Sequence, residues 1–127
     1  SGLSVIFCDI DNFKKVNDIH GHIVGDKILI AFSSALKKNL RKSDIIARWG
    51  GEEFVMLITN EDVTSVKAIA EKIRNNIELS DFIEVGKLTA SFGVAHFLEG
   101  DNKETIIKRA DIALYQAKGH GRNRVEF

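Results

Sequence analysis

Two adjacent glycines, Gly50 and Gly51, separate the β-prone runs "DIIARW" and "EFVMLI". A glycine pair between short runs rich in β-branched and aromatic residues leaves the chain little choice but a β-hairpin. Directly behind the glycines stand two acids, Glu52 and Glu53. Neighbouring carboxylates at a turn bury no surface and do not help strands pair. On a flat strand they would point to opposite faces. Beside a glycine turn, strong local twist can bring both towards one place, where they repel unless a cation lies between them. Two readings follow: solvated acids at a hairpin tip, or half of a cation site.

The rest of the chain supplies elements for the hairpin to pack on. Residues 3–8, "LSVIFC", form a continuous apolar run of strand length that stops at Asp9. "GDKILIAFSSALKKNL" repeats apolar positions at Leu29, Phe32, Leu36 and Leu40, a helix expected to start after "HGHIVGD". Val63, Val66, Ala70, Ile73 and Ile77 give a second helix. "KLTASFGVAHF" reads as a strand, preceded by a small one at "FIEV". Ile106, Ala110, Leu114 and Ala117 line the inward face of a third helix, with Asp101 and Glu104 as a capping box and Gly119 and Gly121 at its end. "RVEF" supplies a last edge strand. The order β-α-β-β-α-β-α-β predicts an α/β (α+β) fold: a central mixed, mostly antiparallel sheet flanked by helices, which can cover one face of it.

At 127 residues and 44% apolar content, with no repeat or linker, the chain is expected to form one domain with a sizeable core. Lysines and arginines number 18, as do aspartates and glutamates, so no net field collects nucleic acid or anionic lipid. The single Cys8 lies inside the first apolar run and reads as a buried strand thiol. No stretch reaches the roughly 20 apolar residues of a membrane span, and no signal peptide is visible. The opening "SG" reads as the edge of a fragment excised from something longer.

Further chemistry gathers around the strands. Asp9 and Asp11 stand where the first strand ends, the place where open sheets offer ligand sites. A hard divalent cation takes one or two protein carboxylates and completes its shell with water and phosphate oxygens. The alternative for either Asp is to cap the following turn. Lys14, Lys118 and Arg122 can meet phosphates, with "AKGHGRN" a glycine-bearing loop able to close over a polyphosphate; Lys118 also suits a helix C-terminus. His20 and His22 have no third ligand in register and read as structural.

Together the segments "DIDNFKKVND", "GHIVGD", "RKSDIIARWGGEEF", "SFGVA" and "RADIALYQAKGHGRNRV" resemble the GGDEF family, the diguanylate cyclases, in its GGEEF variant. The likeness runs from about Leu3 to Val125. It implies a palm-like nucleotide-cyclase sheet and the condensation of two GTP into cyclic di-GMP and two pyrophosphates by a homodimer. It implies a Mg²⁺ or Mn²⁺ site made of Asp9, the Ile10 carbonyl, Glu52 and Glu53, with Glu52 also the base for the 3′-hydroxyl. Gly50 and Gly51 would let backbone approach the nucleotide, and the amides of Asn12, Phe13 and Lys14 would cradle phosphates beside Lys118 and Arg122. Asn17 and Asp26 match positions that read guanine, whose N1–H and 2-amino donors suit a carboxylate. Arg41 and Asp44, the "RxxD" ahead of the signature, resemble an inhibitory site for the product, with Arg74 a weaker candidate partner. The resemblance further implies a cytoplasmic domain, in a parent protein that can be membrane-anchored. The family's helical lead-in, which packs beside the nucleotide pocket, has no match here. The competing readings are a receptor that binds cyclic di-GMP without making it, a cyclase for another dinucleotide, which Asp26 disfavours, and a polymerase palm fragment.

Overall fold

In chain order the elements are β1 (Leu3–Ile10), α1 (Phe13–His20), α2 (His22–Lys37), β2 (Ile45–Gly50), β3 (Glu53–Thr59), α3 (Val63–Leu79), β4 (Ala90–His96), α4 (Lys103–Gly119) and β5 (Val125–Glu126). The computed structural model describes residues 2–127. The strands form one sheet in the order β2-β3-β1-β4-β5. Only the β4–β5 pair is parallel; the other three are antiparallel.

β1 is the middle strand, which explains why its apolar run is continuous rather than alternating. Ile6, Cys8 and Ile10 face a layer made by α1, α2 and α3, whereas Val5 and Phe7 face α4. Helices therefore cover both faces, not the one face expected. Cys8 is buried and free, and burial pushes its thiol pKa up. On the larger side Phe32, Leu36, Met56, Ile73 and Ile77 are sealed from solvent.

α4 lies close on β4 because position 93 has no side chain. A Cβ on Gly93 would stand 2.2 Å from the Ala110 carbonyl oxygen and 2.2 Å from the Leu114 nitrogen. α4 covers β1 and β4 but leaves β2 bare, so Ile45, Ala47, Leu57, Phe97 and Ile107 line an open apolar groove of about 390 Å³. No described helix is long and apolar enough to cross a membrane.

Four local expectations are corrected. The loop expected after β1 is the eight-residue α1, and α2 starts at His22, inside the expected loop. "FIEV" makes no strand; it forms a tight turn closed by a bridge between Phe82 and Gly86, with Glu84 and Gly86 at positive φ. The capping box of α4 uses Asn102 and Thr105, one residue on from Asp101 and Glu104. Val63, expected inward, is 40% exposed because it is the first residue of α3, before the buried stripe begins.

Candidate functional site

The hairpin turn is built to re-aim its acids. β2 and β3 pair Arg48 with Phe54 but Gly50 with Glu53, so Trp49 is an extra residue on β2. Such a bulge bends the strand and increases its twist. Trp49 is held by an edge-on contact to Phe7, with ring centroids 5.6 Å apart at 81°. Gly51 sits at φ +26, and its carbonyl accepts a 2.8 Å hydrogen bond from Arg48 Nε. A Cβ at Gly50 or Gly51 would meet no protein atom within 4 Å, so neither glycine serves internal packing. Both look onto open space.

Glu53 stands directly opposite Asp9 in the β1–β3 register, and strand alternation puts both on the α4 face. There Lys118, in the last turn of α4, forms an ion pair with Asp9 Oδ2. Burial raises the Asp9 pKa to about 6, against the opposing pull of Lys118. Burial tends to lower the pKa of Lys118, but the Asp9 hydrogen bond and the charges of Asp9, Glu53 and Glu52 raise it overall. One ammonium thus sits in the field of three carboxylates.

The direction of the Ile10 carbonyl follows from its neighbour's hydrogen bond. A trans peptide points its C=O and N–H in opposite directions. The Asp11 N–H bonds the Thr89 carbonyl at 2.9 Å, so the Ile10 carbonyl points the other way, past the Asp9–Glu53 pair where the β1–β3 ladder ends. Carboxylates plus a carbonyl are hard oxygen donors of the kind Mg²⁺ or Mn²⁺ takes. Among the described residues no three acidic, histidine or cysteine side chains close into a ready metal cluster.

On the other face of the hairpin, Phe13, Lys14, Asn17, Asp26, Arg48 and Glu52 line a pocket of about 360 Å³. The rim also carries His22 and Gly51. A groove along α2 and β2 shares Asp26, Leu29 and Arg48 with it. The N-terminus of α1 opens beside it: Asn12, at φ 58, offers no side-chain cap, and no acid stands in the first turn. The first amides of a helix have no intrahelical acceptor, and this uncapped end favours an anion. Deeper in, the Asn17 Oδ1 atom is buried without a hydrogen-bond partner among the described residues. Gly25 is the reason it fits, since a Cβ there would lie 1.9 Å from that oxygen.

Other predicted residues are placed differently. Arg122 lies in the loop after α4 at φ 63, its N–H bonded to the Ala117 carbonyl at 2.9 Å. Asp11 neither joins Asp9 nor caps α1; its carboxylate accepts from Thr89 Oγ1 (2.7 Å), Ser91 Oγ (2.6 Å) and Asn123 N (2.9 Å). Arg41 and Asp44 meet at the start of β2, the end away from the glycine turn. Asp44 accepts from the Arg41 and Thr59 amides and its side chain is only 3% exposed, while the half-exposed Arg41 guanidinium reaches Glu61 at 2.9 Å and the Thr59 carbonyl. Arg74 binds Glu71, Glu78 and Asn123. His20 lies in the last turn of α1. Sequence reasoning missed Arg48 and Asn123; the adjacency of Arg48 to the glycine pair was the available signal for the first, and nothing local marked the second.

Known proteins resemble this chain in sequence and in fold. The family model described as "Diguanylate cyclase, GGDEF domain" matches residues 1–124. Diguanylate cyclase DgcM of Escherichia coli K12 is 40% identical over 96% of this chain, which spans 30% of that protein's length. Response regulator PleD of Caulobacter vibrioides is 42% identical over 97% of the chain, which spans 28% of it. Among solved structures, the active GGEEF domain of a Vibrio cholerae diguanylate cyclase superposes with a TM-score of 0.92 at 36% identity, covering 99% of this chain and 82% of that one. The GGDEF domain of DgcB from Caulobacter crescentus, in complex with c-di-GMP, gives 0.91 at 34% identity, covering 98% and 77%.

Proposed function

Because the chain belongs to the GGDEF family of diguanylate cyclase domains, we propose that it condenses two GTP molecules into cyclic di-GMP, each of two subunits holding one GTP. The observation that carries this reading is the Asp9–Lys118 ion pair with Glu53 directly opposite Asp9 in the sheet, beside an uncapped helix N-terminus.

The residues divide the work by their chemistry. The amides of Asn12, Phe13 and Lys14, with the Lys14, Lys118 and Arg122 side chains, receive the triphosphate. The unpartnered Asn17 oxygen and the Asp26 carboxylate accept from guanine's 2-amino and N1–H groups, which adenine does not offer in that pattern. Gly50 and Gly51 leave the side of the turn open to the nucleotide. Asp9, Glu52, Glu53 and the Ile10 carbonyl would hold Mg²⁺ or Mn²⁺, which when bound neutralises phosphate charge and polarises the reacting oxygens. Glu52 takes the proton from the 3′-hydroxyl, whose oxygen attacks the α-phosphorus of the GTP on the opposite subunit as pyrophosphate leaves in line. The second subunit is required because one domain carries one nucleotide site.

Arg41 and Asp44 form the proposed site of product inhibition. Arg41 supplies the group that reaches a phosphate or guanine edge, and Asp44 shapes the turn that presents it. The domain works in the cytoplasm, where GTP is available. Glu52→Ala separates enzyme from receptor: it should abolish synthesis from GTP while cyclic di-GMP binding persists. Synthesis surviving in that variant would remove Glu52 from the mechanism.

A further inference from the structure

Asp11 and Arg74 both stand outside the reaction as described, yet they converge on a single residue, Asn123. Asp11 Oδ2 accepts from the Asn123 backbone amide at 2.9 Å. Arg74 Nη1 donates to Asn123 Oδ1 at 2.8 Å, and Asn123 Nδ2 donates to Glu78 Oε2 at 3.0 Å. Backbone and side chain of one loop residue are therefore gripped from the turn after β1 and from α3.

The grip is firm on both sides. Asp11 is 5% exposed and already oriented by the Thr89 and Ser91 hydroxyls. Removing a buried, triply bonded carboxylate leaves three donors unsatisfied. Arg74 is itself fixed by Glu71 at 2.6 Å and Glu78 at 2.8 Å. The hold also bears on Arg122, which sits beside Asn123 in the left-handed region, at φ 63 against φ 47; asparagine enters that region readily and arginine seldom does. Next to the gripped residue is Arg122, whose exposed side chain makes no hydrogen bond to any described residue.

We propose that Asp11, Arg74 and Glu78 act as positioning residues, clamping Asn123 so that Arg122 is held ready for the terminal phosphates of the bound nucleotide. The inference rests on the assignment of Arg122 to the triphosphate made above. It differs from a general stabilising role in one respect: its effect must run through Arg122 and through the β- and γ-phosphates.

The test is titration of this chain with 3′-deoxy-GTP and Mg²⁺, which bind without condensing, and with GMP at millimolar concentration. Arg122→Ala should weaken 3′-deoxy-GTP about tenfold and leave GMP unchanged. Asp11→Asn and Arg74→Gln should each weaken 3′-deoxy-GTP several-fold, spare GMP, and add nothing in the Arg122→Ala background. Losses equal for both nucleotides, or additive with Arg122→Ala, would overturn the clamp. If Asp11→Asn does not fold, Arg74→Gln decides alone, and unchanged 3′-deoxy-GTP affinity in that variant overturns it too. Should Arg122→Ala itself bind 3′-deoxy-GTP as tightly as the unmodified chain, the assignment of Arg122 fails and the clamp with it.

Discussion

Helices α1 and α4 begin in opposite ways. At α4, Asn102 Oδ1 accepts the Thr105 amide and Thr105 Oγ1 accepts the Asn102 amide, both at 2.9 Å. Asp101 adds bonds to Thr105 Oγ1 at 2.8 Å and Arg109 at 2.7 Å, and Arg109 holds its carboxyl well below the usual range. At α1 there is no side-chain cap and no acid in the first turn. At α4 the chain itself satisfies the end's donors. The α1 end is open to an anion, and the proposed function gives it phosphate oxygens. Changes at the α1 end should therefore cost turnover, and changes at the α4 end should cost stability.

The sharpest break of that contrast would come from Asp9. Asp9→Asn should reduce synthesis at least about a hundredfold, the scale of several kcal/mol of lost transition-state stabilisation. It should not weaken the metal-free fold. Asp9 has its pKa raised from 3.8 to about 6 in the folded chain. The stability tied to its protonated form is fully present below pH 3.8 and lost as pH rises through about 6. Asp9→Asn lacks this loss, so its melting temperature should pull ahead of the unmodified chain's between those pH values. A variant that melts lower at pH 7 and gains nothing across that window would contradict the assignment of Asp9 to function rather than fold.

Next in size is the seat of α4. Gly93→Ala should cost about 2 kcal/mol, because its Cβ meets helix backbone rather than a movable side chain. Urea unfolding with an unchanged slope would check it, and a neutral result would mean that α4 shifts freely on the sheet. The smallest effect belongs to the cap. Asn102→Ala should cost about 1 kcal/mol and leave the turnover of the folded fraction unchanged. Lost turnover at full folding would erase the distinction between the two helix ends.

The same contrast governs what could be read from the chain. The hairpin, α3 and most of α4 were legible because glycine breaks and long 3-4 spacing are local signals. α1 was not: it is eight residues long, buries only Phe13 and Val16, and exposes Ile19 at 64%. The start of α2 was hidden by Gly25, which reads as a loop glycine but is buried in the helix to make room for Asn17. The Glu52–Glu53 pair was legible as a site because it makes no sense as packing. Asp11 could be read only as a cation ligand or a turn cap, because the partners that claim it, Thr89, Ser91 and Asn123, lie far along the sequence and only the sheet brings them together.

The most direct test of the account is product formation from GTP and Mg²⁺, followed by chromatography across a range of protein concentrations. Cyclic di-GMP should form, at a rate that more than doubles for each doubling of protein below the dimer dissociation constant. GTP bound without any cyclic di-GMP, or product rising only linearly through that range, would contradict it.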